Sequence, residues 1–267
     1  MIPLIGHCRT IFKINFLFFN NSFIYRVVNY GPEVRLSIKH SLRRTLVRFK
    51  LCSAVKKTLY KYTKHLIQMI SVDLTLQTHK VILRPVAEDD FEIFLQLAQD
   101  DDSWKYFTLN LADKDQLSRW MDIAFSERAA NTRRPFTIIE KSSNRIAGSM
   151  SMGNISMHDL RLEIGWSWLG KDFRSTYVNT HSKFAMMKYA FDEIHFERVE
   201  FKTDVLNERA RKGLEKIGGK AEGILRSHMT MWNNRRRDSI YYSVIKNEWP
   251  QLKQTTFKEI EKENENS

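Results

Sequence analysis

Between Leu74 and Pro250 the hydrophobic period switches repeatedly between two residues and 3.6, and this switching fixes the fold class before any motif is weighed. "LTLQTHKVILRPV" alternates as a strand. In "EDDFEIFLQLAQD", Phe91, Phe94, Leu95 and Ala98 fall on one helix face, and acids crowd the first turn, where the helix dipole favours them. "DKDQLSRWMDIAF" opens with Asp113 and Gln116 at capping-box spacing and carries the stripe Leu117, Trp120, Met121 and Ala124. "PFTIIE" and "RIAGSMSMG" are strands around the turn-forming "KSSN". "RLEIGWSWL" is the cleanest alternation. It predicts Leu162, Ile164, Trp166 and Trp168 on one face and Arg161, Glu163, Gly165 and Ser167 on the other.

Phe184, Met187 and Phe191 then mark a helix over 180–193, and "RVEFKTD" a strand. Asn207 is placed to cap "ERARKGLEKI", with Ala210, Leu214 and Ile217 as its inner stripe and Gly218 and Gly219 ending it. "KAEGILRSHM" and "RDSIYYSVI" form a hairpin around Asn233 and Asn234, and the polar segment 251–267 is expected to fray. This order predicts an α/β fold over 69–250: a mixed sheet of about seven strands with helices on both faces.

Residues 1–68 are of another kind. They hold thirteen Lys and Arg and one acid, Glu33, whereas the remaining 199 residues hold thirty of each sign. The net charge of +12 therefore belongs wholly to this extension, and nucleic acid has no electrostatic footprint outside it. Both cysteines, Cys8 and Cys52, also lie there, so no disulfide framework and no cysteine metal site is predicted. No histidine spacing suits a metal either. The apolar run "IFKINFLFFNNSFIY" is broken by Lys13, Asn15, Asn20 and Asn21, which argues against a membrane span. The extension reads as a basic, disordered or non-native stretch ahead of a start at Met69, with a targeting presequence, a nucleic-acid arm or a domain of its own as alternatives. The cytoplasm is the expected location.

"LGKDFRSTYVNTHSKFAMMKYAF" is a loop running into a helix. Its first backbone amides have no intrahelical acceptor, which suits an anion.

With "PFTIIEKSSNRIAGS", "LEIGWSWL", "RVEFKTDVLNERARKGLEKIGGKAEGILRSHM" and "RRRDSIYYSVIKNEWP" in this order, the chain resembles the GNAT superfamily of N-acetyltransferases, in the RimJ/RimL-like branch of ribosomal-protein alanine acetyltransferases. The resemblance spans residues 74–250 and implies acetyl-CoA as donor and a primary amine as acceptor, either a protein N-terminus or a small molecule. It also implies a homodimer as a common state, and no metal. The pyrophosphate would lie on the loop from Phe173 through Arg174, Ser175, Thr176, Tyr177, Val178 and Asn179. At 175 and 177 the family pattern has glycine, so Ser175 and Tyr177 are expected to contribute side chains in place of close backbone approach.

The resemblance further implies that Glu163 is the base for the attacking amine, and that a backbone N–H within Ile164, Gly165 and Trp166 faces the developing oxyanion. The structural alternative for Glu163 is a salt bridge to Arg161 or Arg198. Asn207 would position the pantetheine arm. The acid positions of related enzymes hold Ala210 and Leu214 here, so the thiolate would leave unassisted, helped by a pKa of about 8.5. Tyr241 and Tyr242 are candidate substitutes but read better as packed aromatics. Trp104, Tyr106 and Phe107 are divided between core and acceptor pocket, and the arginines of "RSHMTMWNNRRRD" read as a solvated turn or as a docking site for an acidic acceptor or an RNA surface. A catalytically weak, CoA-binding protein on the same fold is the alternative function.

Overall fold

The computed structural model describes residues 70–265, together with the backbone of 26–30, 33–40 and 43–49. The chain divides into two units, 1–64 and 65–267. In the first, β1 (Arg26–Tyr30), β2 (Glu33–His40) and β3 (Arg43–Phe49) form an antiparallel meander in the order β1-β2-β3. The proposed start at Met69 lies outside the described residues.

The second unit is built on an eight-stranded sheet. Its strands are β4 (Leu76–Gln77), β5 (Val81–Pro85), β6 (Arg133–Glu140), β7 (Arg145–Ser156), β8 (Arg161–Leu169), β9 (Arg198–Asp204), β10 (Lys220–Thr230) and β11 (Arg236–Ile245). Their spatial order is β10-β11-β9-β8-β7-β6-β5-β4. Every neighbouring pair is antiparallel except β8 and β9, whose connection crosses over through a helix. The expected single strand over 74–86 is in fact two, because the chain turns at Thr78, whose N–H donates to Val81 O at 2.9 Å.

Two helices, α1 (Phe91–Leu97) and α2 (Lys114–Ala129), cover one face. Phe94, Trp104, Leu117, Trp120 and Trp168 form the core beneath them. Asp113 caps α2 as predicted, accepting from Gln116 N at 2.9 Å, but the Gln116 side chain accepts from Asn110 N and so leaves the reciprocal half of the box unmade. The other face carries α3 (Val178–Lys188), continued by one π-helical turn at Tyr189–Glu193, and α4 (Glu208–Lys216). The same core takes in α5 (Trp249–Gln254) and α6 (Lys258–Glu265). The segment after 251 is therefore no frayed tail. Phe257 is fully buried against Phe184 and Trp249, Ile260 is buried beside it, and Lys188 pairs with Glu261 at 2.9 Å. A few apolar residues in a polar stretch were enough to dock it.

The alternation read in "RLEIGWSWL" also fails, and the failure shapes the site. Register between β7 and β8 slips by one residue between the pairs Ser151–Gly165 and Ser149–Trp168, and Trp166 takes φ +52. This is a β-bulge, and it inverts the faces beyond it. Leu162 and Ile164 enter the α3 core, whereas Trp168 enters the α1–α2 core. Among the described residues no helix is long and apolar enough to cross a membrane.

Candidate active site

Strands β8 and β9 are paired only over Arg161–Glu163 and Arg198–Glu200. Beyond these pairs both strands continue, to Leu169 and Asp204, without bonding to each other. Backbone groups of two central strands therefore face an opening where a sheet would normally be closed. The opening is a cleft of about 870 Å³, walled by the bulged half of β8, the α3 N-terminus, β9 and α4.

Glu163 stands at the fork, 2% exposed. Its Oε2 accepts from Asn154 Nδ2 at 2.8 Å and Lys202 Nζ at 3.0 Å. The suggested partners Arg161 and Arg198 are engaged elsewhere, with Glu200 common to both. Oε1 of Glu163 has no protein partner among the described residues, and the residue lines the cleft. Gly165 makes room for it, since a Cβ there would lie 2.8 Å from Oε1. The bulge turns the Trp166 ring across Gly153, where a Cβ would meet it at 2.5 Å, with the Arg133 guanidinium 4.5 Å from its centroid and Lys202 Nζ 5.8 Å away. Ile164 contributes backbone to the cleft while its side chain is buried in the core.

At the opposite end, the loop before α3 bends sharply. Ser175 adopts φ +60, the left-handed conformation usual for glycine. The amides of Ser175, Thr176, Tyr177, Asn179 and Thr180 have no acceptor among the described residues, whereas Val178 N donates to Thr176 Oγ1 at 3.3 Å and His181 N to Tyr177 O at 2.9 Å. Two of the side chains expected to face the anion have protein partners. Arg174 is committed to Asp100 and to Leu169 O, the latter at 2.9 Å, so it shapes the loop and has little freedom to reach an anion. The Tyr177 hydroxyl donates to Glu140, and its ring leaves the cleft wall. Thr176 Oγ1 donates to Phe173 O at 2.7 Å, and Val178 is buried in the core. Arg174, Ser175 and Thr176 line the cleft, and Tyr177 does not.

Asn179 lines the cleft and accepts from Lys183, one helical turn on. Lys183 is 6% exposed, and burial pushes its pKa down to about 8. Sequence reasoning missed it because a lysine beside an apolar stripe reads as an edge residue. The one available signal was its i+4 spacing from Asn179. Asn207 caps α4, accepting from Ala210 N at 3.1 Å, while its Nδ2 makes no bond among the described residues. Ala210 and Leu214 line the same wall, so no acid stands there. Tyr242 is fully buried and donates to Glu215 at 3.0 Å, as a packed aromatic would. Trp104 is core, whereas Tyr106 and Phe107 line the cleft. Of the arginine run, Arg235 pairs with Asp204 and Arg236 with Ser227 and Thr230, but Arg237 is buried in the cleft wall. Among the described residues no three His, Cys, Asp or Glu are grouped to hold a metal ion.

This forked sheet, with its bulge and loop, has known counterparts. The Acetyltransferase (GNAT) domain matches residues 80–220, more than half of the chain. The chain belongs to the GNAT acetyltransferases. YdaF of Bacillus subtilis, provisionally named a ribosomal N-acetyltransferase, is 27% identical over 172 residues, which are 59% of this chain and 93% of that protein. A GCN5-related N-acetyltransferase from Brucella melitensis superposes with a TM-score of 0.63 at 25% identity, over 69% of this chain and 84% of its own. Mycobacterium smegmatis RimJ, solved in complex with CoA-disulfide, shares the fold at a TM-score of 0.56 and 19% identity, over 67% of this chain and 88% of its own. The GNAT family expected from the sequence is the one found, with acetyl-CoA as its acyl donor.

Proposed function

We propose that this protein transfers the acetyl group of acetyl-CoA to a primary amine by direct attack within a ternary complex. The observation that carries the proposal is the fork itself. At one end of a single cleft lie orphaned amides at a helix N-terminus, and at the other a buried carboxylate with one unpartnered oxygen. The pyrophosphate rests on the amides of 175–177 and 179, where dipole and free N–H groups both favour negative charge. Lys183 and Asn179 continue that polar wall toward β8. Ser175 already holds the left-handed conformation that glycine would supply, so the loop needs no glycine to take its shape.

Glu163 accepts the proton of the attacking amine, directly or through one water. A C–N bond forms as the C–S bond breaks, and the electron pair of that bond leaves on sulfur. Backbone N–H in the bulged stretch 164–166 faces the carbonyl oxygen. With apolar Ala210 and Leu214 at the acid positions, CoA departs as thiolate. Those two residues also favour the second reading, a protein that binds CoA but turns over slowly.

Calorimetric titration of acetyl-CoA into the full chain, followed by mass-spectrometric detection of amine-dependent CoA release, tests both readings. Micromolar binding with release supports the transferase. Binding without release across protein N-termini and small amines leaves the slow reading, and no binding to folded protein refutes both.

A further inference from the structure

The acceptor end of the cleft contains a charge with no ion-pair partner among the described residues. Arg237 on β11 is 7% exposed and lines the cleft beside Tyr106, Phe107 and Met229. Among the described residues its Nε is buried without a hydrogen-bond partner, and Nη1 makes only a long 3.4 Å contact with Tyr106 O. Asp204 and Glu163 are the nearest opposing charges, and neither comes within ion-pair distance of it. Asp204 is taken by Arg235 and by Leu206 N, and Glu163 by Lys202 and Asn154.

A guanidinium stays charged at any ordinary pH, and burying it unpaired is strongly unfavourable. Its planar fork suits a carboxylate held by two parallel N–H donors. Resting on the transferase reading above, we propose that Arg237 docks a carboxylate of the acceptor, so that the substrate is a primary amine carrying a negative group close by. Two sources share this chemistry. One is a small ω-amino acid. The other is a protein N-terminus with Asp or Glu at its second position. The surroundings agree with the assignment. Lys202 and Arg133 add positive charge around Glu163, so an anionic acceptor enters a favourable field and its amine is delivered to the carboxylate.

The test uses the full chain with saturating acetyl-CoA, and its affinity is measured first by calorimetry. Two acceptor pairs are compared: γ-aminobutyrate against its amide, and a peptide beginning Ala-Asp against one beginning Ala-Asn. Wild type is expected to prefer the carboxylate in at least one pair by tenfold or more in kcat/KM. Arg237→Gln should abolish that preference through KM while leaving acetyl-CoA affinity within twofold, and Arg237→Lys should restore part of it. The first pair responding assigns a small-molecule acceptor, the second a protein N-terminus. The inference is overturned if wild type treats both members of each pair alike, if it turns over none of the four, or if the preference survives in Arg237→Gln. In those cases acetyl-CoA binding together with amine-dependent CoA release across uncharged protein N-termini and small amines still tests the transferase reading by itself. Retention of the wild-type melting temperature by Arg237→Gln ties a lost preference to recognition and not to misfolding.

Discussion

Replacing Lys183 by methionine should stabilise the fold while weakening the cleft. The ammonium sits 6% exposed with the Asn179 amide as its hydrogen-bond partner, and its pKa falls from 10.5 to about 8. A difference of that size corresponds to about 3 kcal/mol by which burial disfavours the charged form. Below pH 8 the lysine is protonated in both folded and unfolded chains, so the full penalty acts on the folded state. Between about pH 8 and 10.5 the unfolded chain keeps the proton that the folded one releases. Stability of the wild type therefore rises with pH in this window, and by pH 10 roughly 1 kcal/mol of penalty remains. A methionine side chain has similar length and no charge, so the Lys183→Met variant escapes the penalty. Urea denaturation followed by tryptophan fluorescence at pH 7 and pH 10 measures both gaps. The variant should be more stable by about 3 kcal/mol at pH 7 and by about 1 kcal/mol at pH 10. A variant no more stable at pH 7, or a gap that does not change with pH, would refute the argument. Because Lys183 lines the proposed cofactor cleft, the same variant should bind acetyl-CoA at least fivefold more weakly.

Glu163→Gln keeps the size and one acceptor oxygen but cannot take a proton. Turnover should fall by about a hundredfold with acetyl-CoA affinity unchanged, and a loss below tenfold in steady-state kinetics would assign the carboxylate a structural role. Gly165→Ala places a methyl group 2.8 Å from Glu163 Oε1, so turnover should drop while the melting temperature moves little; equal activity would mean that the carboxylate is free to shift. Phe257→Ala empties a fully buried site against Phe184 and Trp249 and should cost about 3–5 kcal/mol in chemical denaturation, whereas a polar, frayed tail would lose almost nothing. Asn207→Ala removes the α4 cap and should cost about 1 kcal/mol, with a weaker affinity for acetyl-CoA if its free amide meets the ligand.

The sequence by itself determined the order of the elements from β5 to β11, the helices α1 to α4 between them, and the Asn207 cap. Each of these rests on local chemistry: period, capping residues and turn residues act within a few positions along the chain. The tertiary structure decided what depends on partners distant in sequence. Trp166 and Ile164 share a face in the alternation, yet the bulge separates them, because one extra residue in β8 against β7 inverts every side chain beyond it. Arg174 and Tyr177 read as anion ligands in the sequence, and the fold bonds them to Asp100 and Glu140, 74 and 37 residues away. Arg235, Arg236 and Arg237 are indistinguishable as letters. Strand register sends the third into the cleft and leaves its neighbours on Asp204 and Ser227. Charge and residue type are written in the chain, but whether a charge is paired, solvated or left waiting for a ligand is settled only when the sheet closes around it.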